Sequence, residues 1–321
     1  MPRILLVARF DDSTHSHAAL HQRALERLGA AVTIFNLEKT GWLGRLTAKD
    51  LKGRLEQALR HADPDVVLIT DGEVLREGAV DALRGSTRAR WAHWFPRQGH
   101  DGSDLAQAVR ASDIVFTAGA AMAEHWSEKS GHLVHTLDPA CDPSMHRPLR
   151  VREPFRANVV FAGRASSYRE GILGQLVEFG LAIWGPGWKK TSLREYCRGE
   201  QLSSDNFVRA YAGATIALNI HREAEGPLPD GALSARIFEV AAIGVSQIVD
   251  ARRELSRHFL PNEEVLTFNG LEELRDKTRH ALNDTILRER MSFAARQTVL
   301  KRHTYMHRMK ELLTQLNPEA R

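Results

Sequence analysis

The chain has few of the residues that mark several protein classes. Its 321 residues include two cysteines, Cys141 and Cys197, which cannot build a disulfide framework or a zinc ribbon. No apolar run approaches the roughly 18 residues that a membrane-spanning helix needs. The apolar run Ile4–Ala8, close behind Met1, is too short for the core of a signal peptide. We therefore expect a soluble, cytoplasmic protein without disulfides.

Several catalytic motifs are also missing. The first apolar run leads into Arg9-Phe10-Asp11 and not into a G-x-G-x-x-G turn, so the dinucleotide-binding fingerprint is absent. The chain contains no P-loop, no G-x-S-x-G nucleophile turn and no H-E-x-x-H zinc motif. No D-x-D pair follows a predicted strand. A site that holds a diphosphate through a chelated metal is therefore not expected.

Charge of one sign is in modest excess. The 44 lysines and arginines exceed the 40 acidic residues by four, and the pI is about 9.2. Such a balance favours anionic ligands such as phosphorylated compounds, but no specific nucleic-acid binding is predicted. The excess lies towards the C-terminus, in Arg288, Arg290, Arg296, Lys301, Arg302, Arg308 and Lys310. These residues fit either a solvent-exposed helix face or a weak contact with an anionic membrane.

Short apolar runs alternate with amphipathic stretches in both halves of the chain. Strands are predicted at Ile4–Ala8, Val32–Phe35, Val66–Ile69, Trp91–Trp94, Ile114–Phe116 and Leu133–Leu137, and then at Val159–Phe161, Leu181–Trp184, Ile216–Asn219, Val245–Val249 and Val265–Phe268. Helices are predicted between them, including one at Leu75–Leu83 and one from Asp284 to the C-terminus. Alternation of this kind predicts parallel sheets covered by helices on both faces.

A proline-punctuated stretch from Asp138 to Pro154 interrupts the alternation. We therefore predict an N-terminal Rossmann-like domain over 1–140, a linker over 141–156 and a second Rossmann-like domain over 157–303. The remaining helix, 304–321, is expected to pack back on the first domain. The fold class is α/β, with two doubly wound domains facing each other across a cleft. Ligands of such sheets bind at the C-terminal ends of the strands.

The first strand of the second half ends in a motif suited to phosphate. Gly163 and Arg164 follow the strand, and Ser166 or Ser167 can cap the next helix, which carries Arg169 in its first turn. Free N–H groups at a helix start attract phosphate, and arginines add bidentate donors. An ordinary strand-to-helix turn with surface arginines is the alternative.

The next strand runs into Trp184-Gly185-Pro186-Gly187-Trp188. Two glycines around a proline predict a tight turn that a flat ligand can approach closely. The indoles of Trp184 and Trp188 would enclose a base or a sugar. Packing of both indoles in the core is the alternative.

Polar residues also end the following strand and begin a helix. Asn219 and His221 lie where a ligand would bind, and Arg236 and Glu239 lie one turn apart at the start of the segment Ser234–Gly244. A carboxylate near a helix start is well placed to bind sugar hydroxyls. A surface ion pair between Arg236 and Glu239 is the alternative.

Taken together, these motifs resemble the CgeB-like (spore maturation protein) glycosyltransferases, a GT-B-type family. The resemblance covers most of the chain and is densest from Val159 to Arg308. It is carried by Ile183–Trp188, Leu218–Arg222, Arg236–Gly244, His303–Arg308 and His146–Leu149. Several distinct motifs in the order of the family make it specific.

The resemblance implies a nucleotide-diphosphate-sugar donor, most often UDP- or dTDP-linked, bound by the C-terminal domain without a metal or another cofactor. Glu239 takes the place of the glutamate that binds the ribose hydroxyls, and Arg169, together with Arg164, neutralises the diphosphate. Glu200 lies where related enzymes meet the base. Where related retaining enzymes have a further acidic residue, this chain has Gly231.

The acceptor side is less defined. Polar residues are predicted at strand ends of the first domain, and His15 is the candidate base; the set is Asp12, Ser13, His15, Asp71 and His93. With His15, Arg169 and Glu239 as the catalytic group, we expect a metal-independent glycosyltransferase that acts with retention on an unknown acceptor. A non-catalytic nucleotide-sugar-binding or assembly protein of the same fold, and a nucleotide-sugar epimerase, are the alternatives.

Overall fold

The structure, a computed structural model, describes residues 1–10, 16–37, 48–70, 83–96, 102–200, 203–221 and 232–316. It contains two compact units. The first is built from the described residues of Met1–Pro139, Glu225–Ala232 and Tyr305–Arg321, and the second from those of Ala140–Ala224 and Leu233–Thr304. Each unit has its own six-stranded sheet, so each can be described by itself.

The sheet of the first unit is entirely parallel. Its strands follow the order β2-β1-β3-β4-β5-β6. Their bounds are β1 (Arg3–Ala8), β2 (Ala31–Asn36), β3 (Val66–Thr70), β4 (Arg90–Phe95), β5 (Ile114–Thr117) and β6 (Val134–Thr136). Residues Ile4–Ala8 of β1 are at most 1% exposed, because a central parallel strand is covered on both faces.

The sheet of the second unit is also parallel and has the order β12-β11-β10-β7-β8-β9. Its strands are β7 (Ala157–Ala162), β8 (Leu181–Trp184), β9 (Cys197–Gly199), β10 (Ala214–Asn219), β11 (Gln247–Asp250) and β12 (Leu266–Phe268). The first strand, β7, lies between β8 and β10, so the winding direction reverses between β7 and β10. Alternate residues of β7 pack into different clusters, with Phe161 on one face of the sheet and Val160 on the other.

Helices cover both sheets. In chain order they are α1 (His17–Arg27), α2 (Ala48–Ala62), α3 (Gly102–Ala111), α4 (Ala120–Ser130), α5 (Ser167–Gly174), α6 (Ser204–Ala212), α7 (Ala235–Ile243), α8 (Leu271–Asn283), α9 (Thr285–Arg302) and α10 (Tyr305–Leu316). None of these described helices combines the length and the apolarity that crossing a bilayer requires. The helix predicted at 75–83 falls outside the described residues except for its end.

Helix α10 packs against α1 within the first unit. The ring of His21 lies between Trp94 and Tyr305, with centroid separations of 4.6 and 4.9 Å, and His17 Nδ1 lies 2.9 Å from Tyr305 Oη. At the other end of α10, Arg90 of β4 donates to the carbonyl of Leu316. Aromatic packing and backbone capping thus fix both ends of this helix.

One expectation about the elements is wrong, and one strand was missed. The stretch from Asp284 onward is not one helix, since α9 ends at Arg302 and α10 begins at Tyr305. Between them Thr304 pairs with Cys141, and the Cys141 amide donates to the carbonyl of His303 at 3.1 Å. Strand β9 was not predicted, because three residues with one arginine and one glycine carry no strand pattern. The α/β class with two parallel, doubly wound sheets is confirmed.

Candidate functional site

The candidate site lies in the second unit, where β7 and β10 run side by side. Their register, Val160 with Ala217, brings the loop after Ala162 close to the loop after Asn219. The chain leaves β7 towards one edge of the sheet and leaves β10 towards the other edge. Open α/β sheets bind their ligands at such a switch point, outside the C-terminal ends of the strands.

Backbone and indole contacts fix the loop after β7. The Gly163 amide donates to the carbonyl of Trp184 at 2.8 Å, and Trp188 Nε1 donates to the carbonyl of Gly163 at 2.7 Å. The Ala165 amide donates to the carbonyl of Pro186 at 3.0 Å. The loops after β7 and β8 therefore form one rigid layer.

Gly185 is required for this layer. Its φ is +129°, and a Cβ at this position would lie 2.2 Å from the carbonyl oxygen of Gly163. Gly187 also has a positive φ, +91°, and a Cβ there would approach the Cβ of Ala165 to 3.2 Å. A side chain at Gly185 would force the two loops apart.

The indoles of Trp184 and Trp188 are buried and do not line an open pocket as predicted. Trp188 is fully buried against Phe161, and its single N–H is used by Gly163. Trp184 is 4% exposed and packs against Phe155. We correct the expectation accordingly: both indoles belong to the core, and Trp188 acts on the site by holding Gly163.

Arg169 spans the switch point. It lies in the first turn of α5, which Ser166 caps by accepting the Arg169 amide at 3.3 Å. Its guanidinium is buried and donates from Nη1 to the carbonyl of Arg164 at 3.1 Å and from Nη2 to that of Ile220 at 2.8 Å. The Arg164 side chain is exposed, and no described residue pairs with it. The two arginines give this edge of the sheet positive charge.

The loop after β10 is held by a histidine–aspartate pair. His221 Nδ1 lies 2.7 Å from Asp250 Oδ1, and His221 Nε2 accepts the Ser234 amide at 3.1 Å. The proton is therefore on Nδ1, which donates to Asp250. Asp250 also accepts Arg252 Nε at 2.9 Å. Burial acts to raise the pKa of Asp250, but the side-chain and backbone hydrogen bonds from His221 and the charge of Arg252 outweigh it and lower the pKa.

His221 thus ties β10 and β11 to the start of α7, and both of its ring nitrogens have protein partners. The neighbouring Asn219 is almost fully buried and donates to Gln247 Oε1 at 2.6 Å, and Gln247 in turn donates to the carbonyl of Ile237. The side-chain oxygen of Asn219, Oδ1, is buried and accepts no hydrogen bond from the described residues.

Helix α7 carries two charges that are not paired with each other. Arg236 and Glu239 are one turn apart, yet neither forms a salt bridge or side-chain hydrogen bond with the other. The interpretation of a self-contained surface ion pair is therefore wrong. Arg236 Nε is buried and has no hydrogen-bond partner among the described residues. Burial raises the pKa of Glu239 to about 7, although the charge of Arg236 acts to lower it.

Tyr211 of α6 belongs to the same cluster and was missed in the sequence. Its hydroxyl accepts the amide of Ala162, the last residue of β7, at 3.1 Å. Burial raises the pKa of Tyr211; the charges of Arg236 and Arg169 act to lower it, and that of Glu239 acts to raise it. Only its place on an amphipathic helix was visible in the sequence, and that signal indicates core packing.

The remaining predicted residues lie elsewhere. Glu200 follows β9 and pairs with Lys189, with Nζ and Oε2 3.3 Å apart. Asp12, Ser13, His15 and Asp71 lie outside the described residues, as does Gly231.

The expectation that His93 ends a strand is wrong. It lies inside β4, almost fully buried, with its ring against Phe95 and its Nδ1 hydrogen-bonded to Ser112. Ser112 precedes β5, so the ring faces the N-terminal edge of the sheet. Burial lowers the pKa of His93 to about 3, so its ring is neutral at pH 7.

Comparison with known proteins shows similarity to a family and to solved folds. Residues 169–314 match the family described as glycosyl transferase-like. No curated protein matches the sequence of the chain. Solved structures match almost its whole length, among them sucrose-phosphate synthase from Thermosynechococcus elongatus, with a TM-score of 0.70, 14% identity and coverage of 98% of this chain and 99% of that one.

Two further structures are similar. A glycosyltransferase from Rickettsia africae has a TM-score of 0.69 at 11% identity, with 98% of each chain covered. Anabaena HepE, solved with UDP and glucose, has a TM-score of 0.67 at 11% identity and covers 98% of this chain and 100% of its own. At these identities the likeness shows the fold, which is that of the GT-B glycosyltransferases. The chain therefore has the GT-B fold, and its residues 169–314 are similar to the glycosyl transferase-like family.

Proposed function

We propose that the second unit binds a nucleoside-diphosphate sugar at the C-terminal ends of β7 and β10, and that the protein transfers this sugar to an acceptor. The observation that carries the proposal is the pair of separate charges on α7. Arg236 forms no salt bridge with a described carboxylate, and Glu239 forms none with a described lysine or arginine. Yet Arg236 Nε and the Glu239 carboxyl group are both buried. Burying polar and charged groups without a partner costs free energy. A ligand with both phosphates and hydroxyls would satisfy them together.

The diphosphate is assigned to the positive edge of the sheet. Arg164 and Arg169 flank the start of α5, and the first-turn N–H groups of that helix add to the attraction for an anion. Arg236 supplies a third positive charge from α7. When the sugar leaves, negative charge accumulates on the diphosphate, and fixed cations at that point lower the barrier. Because arginine supplies this charge, we propose that no metal is required.

Glu239 is assigned to the ribose. A carboxylate accepts hydrogen bonds from two neighbouring hydroxyl groups, and no donor among the described residues lies within hydrogen-bond distance of Glu239. Gly163, Gly185 and Gly187, whose missing Cβ atoms let the loops after β7 and β8 pack together, are proposed to line the nucleotide with their backbone, and Glu200 is proposed beside the base. Asn219 and His221 would shape the same pocket from β10.

HepE has been solved in complex with UDP and with UDP-glucose, which favours UDP as the nucleotide here, with dTDP as the second choice. We propose a CgeB-like specificity and retention of the anomeric configuration. His15 stays the predicted base on the acceptor side, and the cytoplasmic location stays a prediction.

Binding of nucleotides tests the proposal directly. Thermal unfolding is followed with UDP, dTDP, GDP, ADP and CMP, each with and without EDTA, because a ligand of the native state raises the unfolding temperature. We expect one diphosphate to stabilise the protein equally with and without EDTA. Stabilisation that EDTA abolishes would contradict metal independence, and no stabilisation by any nucleotide would contradict the site itself.

A matched pair of arginine variants tests the diphosphate contact. Arg169→Ala should weaken UDP much more than uridine. Arg296→Ala is the control, since Arg296 also donates to a backbone carbonyl, that of Ala242, but at the far end of α7. Equal losses for UDP and uridine in Arg169→Ala would refute the contact.

We also propose a weak contact with an anionic membrane through α9. Its exposed face carries Ile286 and Phe293, which are 79% and 67% exposed and two helical turns apart. Arg290 is exposed on the same helix. Apolar groups that flank a basic residue on one helix face suit the interface of an anionic bilayer.

A further inference from the structure

His146 is a buried histidine that lies far from Glu239 in sequence but next to it in the second unit. A short turn places it: the amides of Met145 and His146 both donate to the carbonyl of Asp142, at 3.0 and 2.8 Å. The Asp142 carboxylate accepts the amide and the hydroxyl of Ser144, at 2.9 and 2.7 Å. The turn is thus held by four hydrogen bonds of its own.

The same turn fixes which nitrogen of His146 carries the proton. The Asp142 amide donates to His146 Nδ1 at 3.0 Å, so Nδ1 is an acceptor. In a neutral imidazole the proton is then on Nε2. Nε2 lies 3.9 Å from Glu239 Oε1. The side chains of both residues are at most 10% exposed.

Few other groups face this carboxylate. Arg236 acts on it from its own helix, and Tyr211 of α6 lies within range of its charge. Helix α9, which also packs on α7, reaches that helix at Ala242 through Arg296. Among the lysine, arginine and histidine side chains of the described residues, only His146 has a nitrogen within 4 Å of the Glu239 carboxylate.

We propose that His146 is a positioning residue, which donates from Nε2 to Glu239 and holds its carboxylate ionised and oriented for the ribose hydroxyls of the nucleotide. This inference rests on the proposed role of Glu239. A distance of 3.9 Å is longer than a hydrogen bond, and a shift of about 1 Å towards Nε2 would close it to the usual length. The free energy that this hydrogen bond contributes would appear in nucleotide affinity.

Two substitutions separate the two ring nitrogens. His146→Asn keeps an acceptor near the position of Nδ1 for the Asp142 amide but removes the donor that faces Glu239. His146→Gln places an amide N–H near the position of Nε2 and gives up the contact with Asp142. His280→Asn, in the exposed part of α8, is the control for replacing a histidine.

The experiment measures the dissociation constant of UDP by calorimetry between pH 5.5 and 9. We expect His146→Asn to weaken binding at pH 8 about tenfold, or about 1.4 kcal/mol, and His146→Gln to recover most of the loss. The pH midpoint of binding should rise in His146→Asn, since Glu239 loses the group that favours its charged form. Glu239→Gln shows the titration of UDP itself and serves as the baseline.

The double variant His146→Asn/Glu239→Gln decides the mechanism. If His146 acts through Glu239, the double variant binds UDP no more weakly than Glu239→Gln alone. A further tenfold loss in the double variant, or wild-type affinity and pH midpoint in His146→Asn, would overturn the inference. Wild-type affinity in Glu239→Gln would overturn the proposed function together with it. If His146→Asn does not fold, His146→Gln decides, since it should keep most of the affinity of the wild type, and a tenfold loss in it would overturn the inference.

Discussion

The substitution Glu239→Gln should stabilise the protein at alkaline pH and impair nucleotide binding at the same time. In the folded protein the pKa of Glu239 is about 7, against an ordinary value of 4.5. Between these two values the folded state keeps a proton that the unfolded state has released. Stability therefore falls as pH rises through this window, and the loss is complete above the folded pKa.

The size of the effect follows from the difference in pKa. A difference of 7 − 4.5 = 2.5 units corresponds to about 3 kcal/mol at 1.36 kcal/mol per unit. Glutamine has nearly the same shape and does not titrate, so the variant avoids this cost. We expect the stability of Glu239→Gln relative to the wild type to grow by about 2–3 kcal/mol between pH 5 and pH 8.5.

Thermal or urea unfolding at the two pH values measures this difference. For a domain of the size of the second unit, 1 kcal/mol corresponds to a shift of about 2–4 °C in unfolding temperature. Glu263→Gln, on an exposed loop, is the matched control and should show no such pH dependence. A stability difference between Glu239→Gln and the wild type that is the same at pH 5 and pH 8.5 would refute the reasoning.

Three further predictions concern other parts of the chain. Since burial holds the pKa of His93 near 3, the His93 contribution to stability should fall by about 1.4 kcal/mol per pH unit below about pH 6. The stability of the wild type relative to His93→Asn, measured by unfolding, should therefore decrease between pH 6.5 and pH 4.5, and a constant difference would contradict this. Gly185→Ala should destabilise the protein by about 2 kcal/mol or more because the added Cβ would collide with the carbonyl of Gly163. The control Gly171→Ala, in a helix with open space around it, should be neutral or slightly stabilising. Equal unfolding temperatures for the two variants would contradict this. Replacing Ile286 and Phe293 by aspartate should abolish co-sedimentation with anionic vesicles and leave nucleotide binding unchanged, and binding that persists in the variant would exclude α9 as the contact.

The sequence predicts those features that repeat locally along the chain. The run Ile4–Ala8 indicates a buried parallel strand because every position is apolar. Ser166 and Asp284 indicate helix starts because their side chains cap the next turn, as they do in the structure. The order of strands within the sheets follows less directly, but alternation of strands and helices leaves few arrangements.

Contacts between distant residues could not be predicted. Trp188 could be assigned to a ligand pocket or to the core with equal reason, since the hydrogen bond that decides between them joins it to Gly163, 25 residues earlier. The pairing of His221 with Asp250 spans 29 residues. The approach of His146 to Glu239 depends on how a turn outside the sheet meets a helix, which no periodicity records.

The place of α10 in the first unit has a consequence for the order in which the protein is made. Pro139 ends the long N-terminal part of that unit, and Tyr305, which packs on His21, is synthesised 166 residues later. At about 5–20 residues per second, this interval lasts roughly 10–30 s. During that time nearly all of the second unit is synthesised, and the face of α1 that α10 will later cover stays uncovered by it. The first unit begins first and is completed last, and its exposed helix face is a surface for chaperones to protect.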